Sequence, residues 1–167
     1  MNSNKCSCSC CGSDNKKTKK KKCPLCGKLS ENVPERTAIK LIKKISKPVE
    51  DVHYWLCTNP DCDVSYFTGT KAYKLNDIKT PLDFKTKTKK RYACYCGKIT
   101  YEEAIKAMKE TGSTSWSVIA KKVLGKLPKC NCAEKNPYGS CCSSNSFLRA
   151  VKESGVKAST DKKSLCC

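Results

Sequence analysis

Sixteen cysteines are spread through 167 residues, accompanied by only three Phe and two Trp. A chain this rich in thiols and this poor in large apolar side chains has a thin hydrophobic core for its length, so sulfur must carry part of the folding energy. Whether it does so as disulfide or as metal thiolate depends on the compartment. The opening residues, Met1-Asn2-Ser3-Asn4-Lys5-Cys6, lack the apolar stretch of a secretory signal. No apolar run approaches the roughly 18–20 residues that cross a bilayer. The expectation is therefore a cytoplasmic chain with no membrane partner, whose reduced thiols serve as metal ligands before they serve as disulfides.

Charge narrows the partners less than its size suggests. The formal net charge is +19, and the arginines are Arg36, Arg91 and Arg149. Lysine runs at Lys16, Lys17 and Lys19 to Lys22, and again at Lys85, Lys87, Lys89 and Lys90, read as solvated linkers. They imply nonspecific, salt-sensitive attraction to polyanions. Base-specific recognition leans on arginine, which is nearly absent.

The pattern between the cysteines is that of a small α+β protein. Residues 1–22 are polar and read as a disordered tail carrying Cys6, Cys8, Cys10 and Cys11, with order beginning near Cys23. Ile39, Leu41, Ile42 and Ile45 recur at helical spacing over 37–45, and Pro48 closes that segment. The stretches 52–57 and 63–67 are rich in β-formers and flank a turn at Asn59-Pro60-Asp61, the signature of a hairpin. Residues 83–90 read as a polar linker. Beyond it, Thr100 and Glu103 form a capping box for a helix over 101–110 that Gly112 ends. Ser113 or Thr114 starts another, with Trp116, Ile119, Val123 and Leu124 on one face and Gly125 after it. Residues 147–153 form a last short helix before a tail ending in Cys166 and Cys167.

Two groups of cysteines carry the chemistry. Cys23-Pro24-Leu25-Cys26-Gly27 is a knuckle, with two thiols aimed at one ion and a glycine that relaxes the turn; Cys57 and Cys62 supply a second pair on the hairpin. A CxxC followed at about thirty residues by a hairpin pair is the ligand set of a tetrahedral Cys₄ structural zinc site. His53, the single histidine, reads as an ordinary strand residue rather than a ligand. The second group is Cys94-Tyr95-Cys96, then Cys130-Asn131-Cys132, then Cys141-Cys142 after an Asn136-Pro137-Tyr138-Gly139 turn able to fold that pair back. Its spacing matches neither common ferredoxin pattern, and on chemistry alone a second zinc and an iron–sulfur cluster stand level.

The strings CPLCG, CTNPDCDVSYF, YACYCG and CNCAEKNPYGSCC, over residues 23–142, resemble the N-terminal domain of CopZ-type copper chaperones. That resemblance implies a zinc-ribbon-like unit at 23–82 with Zn²⁺ on Cys23, Cys26, Cys57 and Cys62. It also implies a helical unit at 91–142 with a [2Fe–2S] cluster on Cys94, Cys96, Cys132 and Cys142, followed by a C-terminal helix and tail at 143–167. Cys130 and Cys141 compete with their neighbours for two of those places. The family's copper-delivery domain carries a Met-x-Cys-x-x-Cys loop; the methionines here are Met1 and Met108, so that domain is expected to be missing. Cys6, Cys8, Cys10, Cys11, Cys130, Cys141, Cys166 and Cys167 remain as candidate ligands for a soft ion such as Cu⁺.

The resulting expectation is a metal-binding protein of copper handling, with redox at the cluster as its one route to catalysis. Its implied partners are a copper-transporting ATPase, a copper chaperone or a redox protein. Two other functions stay open: a basic zinc-ribbon protein using Tyr54, Trp55, Tyr66 and Phe67 against nucleic acid or a larger assembly, and an electron-transfer protein with no copper role.

Overall fold

A computed structural model describes residues 20–45 and 52–157. The first half is an antiparallel sheet in the order β1–β2–β3–β4–β5: β1 Lys21–Lys22, β2 Leu29–Val33, β3 Tyr54–Leu56, β4 Val64–Phe67 and β5 Ala72–Lys74. The expected hairpin is its centre, with Trp55 opposite Phe67 and Leu56 opposite Tyr66. Strand alternation gives β3 two different faces. Tyr54 and Leu56 pack with Val33, Ala38, Leu41 and Tyr66, whereas Trp55 and Cys57 pack with Cys23, Cys62, Val64 and Phe67. One face thus meets a helix and the other meets sulfur.

That helix, α1, runs Glu35–Leu41 rather than over 37–45. Pro34, with φ −56°, sets its start two residues early. Its end is set by tertiary pairing: Ile42 turns extended and bridges Ile78, and the Lys43 N–H donates to the Asp77 carbonyl at 2.8 Å. Pro48 lies outside the described residues.

The second half contains a two-stranded ribbon, β6 Tyr92–Cys94 and β7 Ile99–Thr100, followed by α2 Tyr101–Thr111, α3 Trp116–Leu124, α4 Cys132–Lys135 and α5 Ser146–Ser154. The capping box at α2 is formed as expected: the Thr100 hydroxyl accepts from the Glu103 N–H at 3.2 Å, and the Glu103 carboxylate accepts from the Thr100 N–H at 2.8 Å. The next helix begins later than expected, with Ser115 as its N-cap. Trp116, Ile119, Met108 and Tyr101 share a core with Phe147 and Ala150 of α5, so the last helix packs as part of this half.

Two features join the halves. The turn after α4 lies against the sheet: the Tyr66 hydroxyl donates to the Pro137 carbonyl at 2.7 Å and the Thr37 hydroxyl to the Ala133 carbonyl at 2.6 Å. Gly139, at φ +66°, approaches so closely that a Cβ there would stand 2.5 Å from both Pro34 Cδ and Thr37 Oγ1. The other joint is Asp83, 1% exposed, in the segment read from sequence as a solvated linker. Its carboxylate accepts from the Tyr95 hydroxyl at 3.0 Å, the Tyr101 hydroxyl at 2.7 Å and Arg149 Nε at 2.9 Å. A buried carboxylate must be partnered in this way, and the partners come from the residue after β6, from α2 and from α5 together.

Candidate metal centres

Cys23 and Cys26 flank the turn between β1 and β2. The Gly27 N–H donates to the Cys23 carbonyl and the Cys23 N–H to the Lys28 carbonyl, both at 2.9 Å, while Gly27 takes φ +70° to close the knuckle. Cys57 ends β3 and Cys62 precedes β4. The four sulfurs lie within 4.8 Å of one another, with Cys23–Cys62 at 3.9 Å and Cys26–Cys57 at 3.7 Å. A tetrahedron with metal–sulfur bonds of about 2.3 Å has edges of about 3.8 Å. The donor set and its spacing therefore fit a tetrahedral ion with thiolate preference, and the four expected residues are the four brought together.

The thiols of the quartet are electrostatically unequal. Burial pushes Cys57 up to about 12 and pushes Cys62 up as well. At Cys26 burial acts in the same direction, but hydrogen bonds from the Lys28 backbone, the Asn59 side chain and its neighbouring thiols outweigh it and bring that group down to about 6. Four free thiolates at this spacing would repel one another, so a cation at the centre is what allows full deprotonation.

Sequence spacing gave no sign of Lys85, counted among the solvated lysines. It is 2% exposed. Its ammonium donates to the carbonyls of Asn59 at 2.7 Å, Cys62 at 2.9 Å and Val64 at 2.9 Å, within the loop that carries Cys57 and Cys62. Burial lowers its pKa, and the four cysteines act in the opposite direction. Lys87 behaves as expected: exposed, and paired to Asp63 at 2.7 Å.

The second set lies around the end of β6 and the start of α4. Cys94 and Cys96 flank the end of β6, Cys132 opens α4, and Cys141 and Cys142 follow the Asn136–Gly139 turn. Cys96 lies 3.7 Å from Cys132, and Cys142 acts electrostatically on both Cys94 and Cys132, so these sulfurs gather in one region. Cys141 adds to the upward push on Cys132 and Cys142 and receives the Ser143 hydroxyl at 3.1 Å. Backbone N–H groups point at two of the sulfurs, Gly97 at Cys94 at 3.3 Å and Asn131 at Cys96 at 3.1 Å. Contact with Cys142 holds Cys94 low and contact with Cys132 brings Cys96 to about 7, while their partners Cys132 and Cys142 are pushed up by the neighbouring thiols. The Cys130 thiol is turned to the Pro128 carbonyl at 3.7 Å.

The remaining expectations divide. His53 is exposed, edge-on to Trp55 at 6.0 Å, and outside the quartet. Tyr54, Trp55, Tyr66 and Phe67 are all buried, which removes them as a stacking surface for nucleic-acid bases. Cys6, Cys8, Cys10, Cys11, Cys166 and Cys167 lie outside the described residues. Among the described residues no helix is long and apolar enough to cross a membrane.

The segment that holds this quartet, residues 20–79, matches the zf_CopZ family model, described as a zinc binding domain. The fold is that of a CopZ N-terminal domain: the crystal structure of the Archaeoglobus fulgidus CopZ N-terminal domain superposes with a TM-score of 0.61 at 21% identity, covering 79% of this chain and 98% of that one. In sequence the chain is 26% identical over 89 residues to the copper chaperone CopZ of the same organism, a match that takes in 53% of this chain and spans 42% of the relative's length.

Proposed function

We propose that this chain is a two-centre protein of copper or other soft-metal handling. In this reading zinc sits on Cys23, Cys26, Cys57 and Cys62, and a [2Fe–2S] cluster on Cys94, Cys96, Cys132 and Cys142. The observation that carries it is the presence of two sulfur sets: one quartet within 4.8 Å, and a second with Cys96 3.7 Å from Cys132, in which Cys94 and Cys96 each receive a backbone N–H. Zinc has no redox chemistry and contributes folding energy to a sheet with a small core. A cluster held there would supply a one-electron site, its reduced form giving one electron to Cu²⁺ and becoming oxidised as Cu⁺ forms, or exchanging that electron with a protein partner. The chain's own part is to hold four sulfurs, to direct the Gly97 and Asn131 N–H groups at two of them, and to bury Cys94, Cys132 and Cys142 while Cys96 stays half-exposed. Such N–H···S bonds and burial are the levers that set an iron–sulfur potential. The copper role rests on the likeness to a copper chaperone, and the cysteines at the two ends are the candidate Cu⁺ ligands.

The test is anaerobic purification with zinc, iron and acid-labile sulfide assayed together with the visible spectrum. The expected result is one zinc with two iron and two sulfide per chain. Colourless protein with two zinc and no sulfide would overturn the redox half while leaving the zinc half intact.

A further inference from the structure

The zinc quartet has an internal cation that its ligand motif does not contain. Lys85 Nζ faces three carbonyl oxygens at 2.7 to 2.9 Å. A neutral amine has two N–H groups, whereas an ammonium has three, so three acceptors at this distance call for the charged form. An enclosed ammonium requires an opposite charge. Among the described residues no ion pair involves Lys85, and the nearby carboxylate of Asp63 is taken by Lys87. Asp63 acts on Lys85 through space but is half-exposed and paired elsewhere, so the enclosed source of negative charge is the quartet, since four thiolates around a divalent ion leave a formal charge of about −2.

We propose that Lys85 is the counter-charge and positioning residue of the four-cysteine centre, matched to a divalent thiophilic ion and retarding its loss. This rests on the zinc reading above. Two effects act together. The fixed positive charge offsets the dianionic centre from a position that water does not reach. The three hydrogen bonds tie Asn59, Cys62 and Val64 to one point, so the loop between Cys57 and Cys62 cannot swing its sulfurs apart. Groups beyond the direct ligands typically change metal affinity 10- to 100-fold when removed.

The experiment uses the full chain loaded with zinc, comparing wild type with Lys85→Met, Lys85→Arg and Lys87→Met. Zinc transfer to the chromophoric chelator 4-(2-pyridylazo)resorcinol is followed in time, and the cobalt-substituted proteins are compared in the sulfur-to-metal charge-transfer region. The expected result is zinc loss about 10- to 100-fold faster in Lys85→Met, with a shifted cobalt spectrum and partial rescue in Lys85→Arg. Lys87→Met removes the same charge from the same segment and should match wild type. Equal rates in Lys85→Met and wild type, both holding one zinc, would overturn the proposal alone. Wild type that holds no zinc would overturn the zinc reading and the proposal with it. Should Lys85→Met not fold, the wild-type zinc form decides: its lysine ¹⁵Nζ spectrum should contain one slowly exchanging NH₃⁺ group, and its absence would overturn the proposal.

Discussion

Asp83 and Arg149 offer the sharpest quantitative test of how the two halves are held together. The Asp83 side chain is fully buried and Arg149 is 35% exposed, with Arg149 Nη2 2.9 Å from Asp83 Oδ2. Replacing Arg149 by Met leaves a carboxylate in the interior with the Tyr95 and Tyr101 hydroxyls as its remaining side-chain donors. Removing one partner of a buried pair costs about 3–5 kcal/mol, and the two tyrosines argue for the lower end, about 3 kcal/mol. Asp83→Asn strands a guanidinium that still reaches water, so its cost is smaller, about 2 kcal/mol. In the double variant neither charge is left alone. Its loss should fall short of the sum by at least about 1.5 kcal/mol, within the range seen for residues in direct contact. Urea unfolding of the reduced, zinc-loaded chain at fixed free zinc measures all four corners of the cycle. Additivity within about 0.5 kcal/mol would refute the reasoning, because it would mean that the pair does not act as a unit.

Two further tests probe the other joint and the quartet. Gly139→Ala forces a side chain into Pro34 and Thr37 at a positive φ, and with the Thr37–Ala133 hydrogen bond disturbed the loss should be about 3 kcal/mol in the same unfolding assay. Zinc retention should strengthen as pH rises. Cys57 and Cys62 are raised above their ordinary range in the metal-free chain and hold protons at neutral pH, so binding expels at least two. The apparent zinc constant should then climb about 100-fold per unit between pH 6.5 and 8 in chelator competition; a slope under tenfold per unit would contradict the assigned ligands.

Local rules were legible where one short segment decides the outcome. The Cys23–Cys26 knuckle with Gly27, the hairpin that carries Cys57 and Cys62, and the Thr100 capping box depend on residues within a few positions of one another, and each stands where spacing placed it. The end of α1 did not follow its apolar period, because Ile42 is claimed by a bridge to Ile78, thirty-six residues away. The turn at Asn136–Gly139 brings Cys141 and Cys142 back toward Cys132, while the Cys130 thiol turns to the Pro128 carbonyl at 3.7 Å. No spacing rule distinguishes neighbours whose roles depend on which way a chain re-enters.

The segment 83–90 shows why composition misled. Read alone it is polar and lysine-rich, and four of its residues are exposed as that reading requires: Thr86, Lys87, Lys89 and Lys90. Asp83 and Lys85 are the exceptions, and both are buried charges with three or more partners drawn from elsewhere in the chain. A charge enters a protein interior when the interior already holds its complement, and that complement is invisible to any window of sequence. For Asp83 it is Arg149, sixty-six residues away, together with two tyrosines. For Lys85 it is a ring of carbonyls beside four thiols that become anionic on binding a metal. The pair of exceptions therefore follows the distribution of charge in the fold: one answers the joint between the halves, the other answers the metal centre, and a linker by composition becomes the segment that braces both.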